Sequence, residues 1–185
     1  MWGIVPKLFA GKPGEAASQM FQGEHRNSMD GKGRVNIPAS FRETLRARYA
    51  DECVIVTRDY DGCLRAYPPK EWERSVLASV RRLDINDPYR RSYERYVVSP
   101  AVSCLPDKQG RILLPATLRE HAELDKIVLF SGGASHFEIW DIARREACIK
   151  EDLAILRKGP PGLPFTHKSH HRTLAHGSDQ GAVRR

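Results

Sequence analysis

Residues 29–43 read MDGKGRVNIPASFRE, and residues 106–120 read PDKQGRILLPATLRE. Aligned without gaps they share Asp30/Asp107, Gly33/Gly110, Arg34/Arg111, Pro38/Pro115, Ala39/Ala116, Arg42/Arg119 and Glu43/Glu120, seven identities in fifteen positions. Val35/Ile112, Ile37/Leu114, Ser40/Thr117 and Phe41/Leu118 are conservative besides. A second correspondence follows each block: VIVTRDYDGCLRAY at 54–67 and IVLFSGGASHFEIW at 127–140. Both are an apolar run, a Gly-containing turn and a shorter run that ends in an aromatic residue. The chain is a duplicated unit, and one local structure has to account for both halves.

Val35 and Ile37 alternate with Arg34 and Asn36, the period of a half-buried strand, and Ile112 and Leu114 repeat the pattern with Arg111 on the opposite face. Pro38 and Pro115 stop these strands. Ser40-x-x-Glu43 and Thr117-x-x-Glu120 then match capping boxes, which predicts helices that start at these hydroxyls. Phe41, Leu45 and Tyr49 fall on one helical side. The runs at 54–57 and 64–67, and at 127–130 and 137–140, are expected to be hairpins. Trp72, Val76, Val80 and Leu83 predict a helix after Pro69, and Tyr89, Tyr93 and Val97 another after an Asp87 cap with Pro88 at its first position. Asp141 is expected to cap a last helix with Ile142, Ile149, Leu153 and Leu156 along one side. Such stripes serve core packing or a subunit contact. The fold class expected is α+β with a mainly β core.

Length and composition limit the possibilities. The chain has 185 residues, with 30 Lys plus Arg against 23 Asp plus Glu and a net charge of +7. No apolar run is long enough to cross a bilayer, and Met1–Phe9 lacks the features of a secretory signal. Cys53, Cys63, Cys104 and Cys148 form no CxxC pair, and Cys53 and Cys104 are expected to be buried reduced thiols in a cytoplasmic protein. From Arg157 onward six basic residues face one acid, so that segment carries +5 and leaves +2 for the first 156 residues. Residues 159–185 are expected to be a disordered basic tail. Its histidines, His167, His170, His171 and His176, lack partners at ligand spacing, so no metal and no cofactor is expected. GxSxG, HExxH, GxxxxGK[ST] and GxGxxG are all absent, and no catalytic residue is nominated.

The chemistry concentrates in the loop that opens each repeat, Asp30-Gly-Lys-Gly-Arg34 and Asp107-Lys-Gln-Gly-Arg111. Asp forms turns by bonding the backbone two residues ahead, and Gly33 and Gly110 permit a positive φ. Alternation turns Arg34 and Arg111 away from the core, with guanidinium groups expected to be free to reach a partner. Lys32 and Lys108 lie near the loop tips. An Asp–Arg pair that merely closes a hairpin is the plainer reading of one such loop. Two matched basic prongs suit a periodic polyanion.

With Phe21-x-Gly23-Glu24-His25, Gly-Arg-x-x-x-Pro-Ala in both units and His136-Phe137-Glu138-Ile139-Trp140, these residues give the sequence a clear likeness. It resembles the MraZ family, within the AbrB-like group of bacterial DNA-binding transcription factors. The resemblance covers Met20 to Trp140 and runs into the last helix. It implies a double-split β-barrel formed from two pseudo-repeats with short flanking helices, its subunits assembled in a ring. Residues 20–83 would be the first repeat with its following helix, and 84–158 the connecting helix, second repeat and C-terminal helix. Residues 1–19 would be a disordered extension or the product of a mis-assigned start.

The implied function is repression of the division and cell-wall gene cluster, including its own promoter. The protein would bind direct repeats in double-stranded promoter DNA as a homo-oligomer, in the cytoplasm at the nucleoid and without a membrane partner. The resemblance makes Lys32, Arg34, Lys108 and Arg111 the DNA-binding residues, with Lys32, Lys108, Arg26 and Arg42 on phosphates and Asp30, Gly33, Asp107 and Gly110 orienting the loops. An AbrB-like protein-binding or antitoxin-type module is the competing class.

Overall fold

The computed structural model describes residues 20–159. The expectations for residues 1–19 and for the tail from Pro160 on lie outside these residues. The chain divides into a compact unit ending at Ile149 and a second unit from Lys150, of which the distal turns of the last helix are described.

In chain order the elements are β1 (Glu24–Ser28), β2 (Arg34–Asn36), α1 (Ala39–Tyr49), β3 (Val54–Arg58), β4 (Leu64–Tyr67), α2 (Pro69–Glu71) and α3 (Ala78–Arg81), then α4 (Pro88–Tyr93), β5 (Val102–Cys104), β6 (Arg111–Leu113), α5 (Ala116–His121), β7 (Ile127–Gly132), β8 (Phe137–Asp141) and α6 (Ile142–Lys158). Two π-helical segments, Trp72–Leu77 and Glu94–Val98, join α2 to α3 and extend α4. Both expected hairpins form, β3 with β4 and β7 with β8.

The two repeats complete each other. Strand β1, which leads into the first repeat, pairs with β7 of the second; β5, which leads into the second, pairs with β3 of the first. All pairings are antiparallel, and the larger sheet runs β1-β7-β8-β4-β3-β5. Its two halves meet where β4 pairs with β8, with Arg65 opposite Glu138. Strands β2 and β6 form a separate ribbon of three residue pairs centred on Val35 opposite Ile112. Arg65/Glu138 and Val35/Ile112 are each the same position of the two repeats, so both pairings sit on one pseudo-two-fold axis. The result is a mixed helix and strand fold with a mainly antiparallel sheet core. The six-stranded sheet is open, with β1 and β5 as its edges.

Strand register refines the alignment of the hairpins. Arg58 pairs with Leu64 in the first, and Gly132 with Phe137 in the second, so five residues turn the first hairpin and four the second. Val54 therefore corresponds to Val128 rather than to Ile127, which explains why Val54 and Val128 are fully buried while Ile127 is exposed.

The core lies between ribbon, sheet and helices. Val35, Ile37, Ile112 and Leu114 point inward from the ribbon onto Phe41 and Leu45 of α1, Leu118 of α5, and Val56, Leu64, Phe130, Phe137 and Ile139 of the sheet. Phe21, Phe41 and Phe137 pack with ring centroids 5.2–5.5 Å apart. Tyr49 donates to the buried Glu71 carboxylate at 3.0 Å and so ties α1 to α2. A smaller cluster of Tyr67, Trp72, Val76 and Val97 holds the connecting helices to the sheet.

Several local expectations are corrected. The capping boxes do not form: Pro38 and Pro115 occupy the cap positions, and no side chain caps either helix. Proline's fixed φ already suits the extended cap conformation, so the helices start two residues earlier than the hydroxyls would set them. The proline carbonyls accept the first helical bonds, Pro38 from the Phe41 and Arg42 N–H groups and Pro115 from those of Leu118 and Arg119, at 3.0–3.1 Å. Asp87 does cap α4, by accepting from the Tyr89 N–H, and Asp141 accepts from the Arg144 N–H at the start of α6. Tyr89 leaves its expected stripe and is 61% exposed, packed on Tyr93 instead of the core. Leu153 and Leu156 of α6 are exposed as well. Cys104 is buried and Cys53 only partly so, and Cys63 is the second buried thiol.

Without a cap bond to lose, Ser40→Ala and Thr117→Ala are expected to change stability by less than about 0.5 kcal/mol in urea titrations, where a true cap would cost about 1 kcal/mol. Ile112→Ala, at the pseudo-axis, should cost about 2–5 kcal/mol in the same measurement.

Candidate nucleic-acid interface

The two loops are built alike, bond for bond. In the first, the Asp30 N–H donates to Arg34 O at 2.9 Å and the Gly33 N–H to Asp30 O at 2.8 Å. Asp30 Oδ1 accepts from the N–H groups of Lys32 and Arg34 at 2.9 and 3.0 Å. In the second, the Asp107 N–H donates to Arg111 O and the Gly110 N–H to Asp107 O, each at 2.8 Å. Asp107 Oδ1 accepts from Gln109 and Arg111 at 2.9 and 3.0 Å. One carboxylate oxygen thus folds each turn, as the Asp-first spacing implies. The different tips, Gly31-Lys32 and Lys108-Gln109, do not alter this frame.

The other carboxylate oxygen binds the arginine. Arg34 donates through Nε and Nη2 to Asp30 Oδ2, at 2.7 Å each, and Arg111 donates likewise to Asp107 Oδ2 at 2.9 and 2.7 Å. The guanidinium groups are therefore not free, as alternation alone suggests; a carboxylate four residues earlier is within reach and takes one edge. The head keeps its opposite edge, Nη1 and the outer N–H of Nη2, which is the fork that bonds a guanine or a phosphate. Arg34 stays 37% and Arg111 26% exposed at the side chain.

Placement on the ribbon sets the spacing of the two heads. Arg34 lies opposite Leu113, and Asn36 opposite Arg111. With Val35 and Ile112 buried, all four of these residues share the outer face. Two residues of rise and one strand spacing put the two arginine Cα atoms roughly 8 Å apart. Lys32 and Lys108 are exposed at the tips, and Gly33 and Gly110 are buried beneath them. Asn36 and Leu113, the latter 56% exposed, complete the face and were not singled out from sequence. The same alternation that marks Arg34 and Arg111 marks them.

The two other expected phosphate contacts, Arg26 and Arg42, have different surroundings. Arg26 lines a cleft with Leu129, Ile142, Arg145 and Ile149, against the start of α6. Arg42 is turned onto Gly110. Among the described residues no group of His, Cys, Asp and Glu is placed to hold a metal, and no helix is long and apolar enough to cross a membrane.

Fold and face together define a pseudo-two-fold binding protein, a duplicated antiparallel core that presents two matched loops on one ribbon. Comparison with known proteins gives the family. The family profile described as "MraZ protein, putative antitoxin-like" matches residues 20–94 and 97–157. A protein of Pediococcus pentosaceus named transcriptional regulator MraZ is 43% identical over 132 residues, 71% of this chain and 88% of its own length. Proteins of the same name from Desulfitobacterium hafniense and Acidithiobacillus ferrooxidans are 45% and 43% identical, over 67% and 70% of this chain and 82% and 87% of their own. The chain belongs to the MraZ family, and these relatives are named as transcriptional regulators, not as enzymes.

The Arg34 backbone N–H holds the Asp30 carboxyl below its ordinary value of 3.8, and the Arg111 side chain brings Asp107 down to about 2. A depressed carboxylate stabilises its loop fully above the unfolded value, and that stabilisation is lost as pH falls through the folded one. Loop order should therefore be flat with pH from neutrality down to about 4 and fail only below it. Carboxyl-carbon NMR should give an Asp107 midpoint near 2 and an Asp30 midpoint below 3.8. A midpoint at or above 3.8 would show that the Asp–Arg link is absent in solution.

Proposed function

We propose that this protein is a DNA-binding transcriptional regulator that sets the outer face of the β2–β6 ribbon and its two Asp-x-x-x-Arg loops against promoter DNA. The observation that carries this reading is the identical bonding of both loops on one face, within a family whose members are named as transcriptional regulators. Arg34 and Arg111 present their open guanidinium edges to base edges, each worth about 1–3 kcal/mol of discrimination where it meets guanine. Lys32 and Lys108 contact phosphate and set register. Leu113 and Asn36, between the two arginines, give an apolar contact for a thymine methyl and an amide for adenine. Asp30 and Asp107 act through the arginines. By holding one edge of each head they remove the rotamer freedom that binding would otherwise have to freeze out.

The finer reading follows the family resemblance. The ribbon and sheet together form a double-split β-barrel, with residues 20–83 and 84–158 as its two repeats and their helices. The protein represses the division and cell-wall gene cluster, including its own promoter, in the cytoplasm at the nucleoid. It binds direct repeats as a ring-shaped homo-oligomer. Two arginine prongs and a charge of +2 over the first 156 residues make a single contact weak, so affinity comes from several subunits engaging several repeats.

A titration against one-repeat, two-repeat and half-turn-shifted promoter DNA tests the assembly. Two repeats in register should bind tighter than one by a factor on the order of 10²–10⁴, and the half-turn shift should abolish the gain. Equal affinity for all three would sink the oligomeric mechanism. Arg34→Ala and Arg111→Ala should each weaken promoter binding without changing fold or assembly; a double variant that binds like the parent would remove the loops from the interface. Asp30→Asn and Asp107→Asn take a negative charge off the proposed DNA face, yet each should lower affinity on the order of ten-fold, because the arginine it holds is released. Tighter binding by these variants would mean that the carboxylates only repel DNA.

A further inference from the structure

Gly33 and Gly110 sit at φ +83° and +78°, where glycine alone is unstrained. Space closes on them as well. A Cβ built on Gly33 would stand 2.7 Å from Arg119 Nε and 2.9 Å from the Leu114 carbonyl oxygen. One built on Gly110 would stand 2.5 Å from Arg42 Nη1 and 2.6 Å from Arg42 Cζ. Each guanidinium therefore lies directly on a loop backbone, and in both cases it comes from the other repeat. The backbone crosses in the same sense: the Leu114 N–H donates to Gly33 O at 2.9 Å, and the Ile37 N–H to Gly110 O at 3.0 Å. Arg119 Nε adds a bond to Leu114 O at 3.1 Å. Arg42 Nε is buried and finds no acceptor among the described residues, so its packing on Gly110, not a bond at Nε, accounts for its position.

We propose that Arg42 and Arg119 are positioning residues that act across the repeats, Arg119 fixing the Asp30–Arg34 loop and Arg42 fixing the Asp107–Arg111 loop. The two occupy equivalent positions, and the same contact arises twice from different surroundings, which argues for a device and against a chance approach. A flat guanidinium suits the narrow space over a glycine; an ammonium on a flexible stem does not fill it. Each repeat thereby carries the support for its neighbour's loop. The consequence for DNA binding rests on the function proposed above, whereas the consequence for loop order does not.

Hydrogen–deuterium exchange of the full chain reads the crossing directly. Arg42→Gln should speed exchange in residues 105–113 on the order of ten-fold and leave 28–36 within about two-fold, and Arg119→Gln should do the reverse. Arg42→Lys and Arg119→Lys, which keep charge and stem, should show the same crossed pattern to a smaller degree. In promoter binding, Arg42→Gln should add little to Arg111→Ala but its full effect to Arg34→Ala. Faster exchange in the variant's own repeat, in both loops equally, or in neither would overturn the proposal, as would lysine variants that exchange like the parent. Crossed exchange with promoter affinity unchanged would keep the positioning role and reject the loops as the DNA contact. Uncrossed exchange with affinity lost would do the opposite.

Discussion

Val35 and Ile112 face each other at the centre of a ribbon three residues long, both fully buried, and the arrangement of the two halves is built around that meeting. A strand of three residues cannot bury its inner side alone, and a hairpin without a third strand is marginal. The chain meets both constraints by exchange. Each half lends its leading strand to the other half's hairpin, and both lend a strand to the ribbon. The buried pair Val35 and Ile112 then anchors two turns at once, because each turn runs straight into one of the two strands. The loops are thus extensions of the core rather than appendages to it.

Electrostatics on the ribbon face follow from this anchoring. Asp30 and Asp107 each bond two backbone N–H groups with one oxygen and an arginine with the other, so the fold of the turn and the aim of the cation come from a single side chain. A carboxylate on the proposed DNA face looks like a liability when charges are counted. Geometry gives it another value, since a held guanidinium keeps two outward N–H groups in a fixed plane. Charge counting and geometry disagree here, and the bonding pattern favours geometry.

The duplication, the strand alternation and the place of the loops were legible because each is a local pattern printed twice. The apolar partners of α1, Phe41, Leu45 and Tyr49, were equally plain and are all buried. What escaped depends on longer-range or finer facts. Periodicity says that β1 is a strand but not which hairpin it joins, so the exchange between repeats was invisible. The extra residue in the first hairpin turn moves Ile127 out of the core, and a gap-free alignment cannot show it. The capping boxes failed because a proline two residues upstream competes for the same role. Arg42 reads as a surface cation until its position over Gly110 is known. The Asp–Arg pairing, the plainer reading of one isolated loop, holds in both loops.

Arg65 and Glu138 occupy the same position of the two repeats and lie opposite each other on the pseudo-axis, with Arg65 Nε 3.5 Å from Glu138 Oε1 and 3.0 Å from Asp59 Oδ2. An axis relating two identical chains forces every residue on it to meet its own kind, cation against cation or acid against acid. Only a chain that carries both halves in tandem can put opposite signs there. The covalent link therefore does more than hold the halves together: it lets the point of closest approach become a heteropolar contact. It also gives the object a direction. A perfect dyad looks the same after half a rotation, whereas this one has an arginine on one side of the axis and a glutamate on the other, and loop tips that differ as Gly31-Lys32 and Lys108-Gln109. Whatever lies across the ribbon meets a surface with a front and a back.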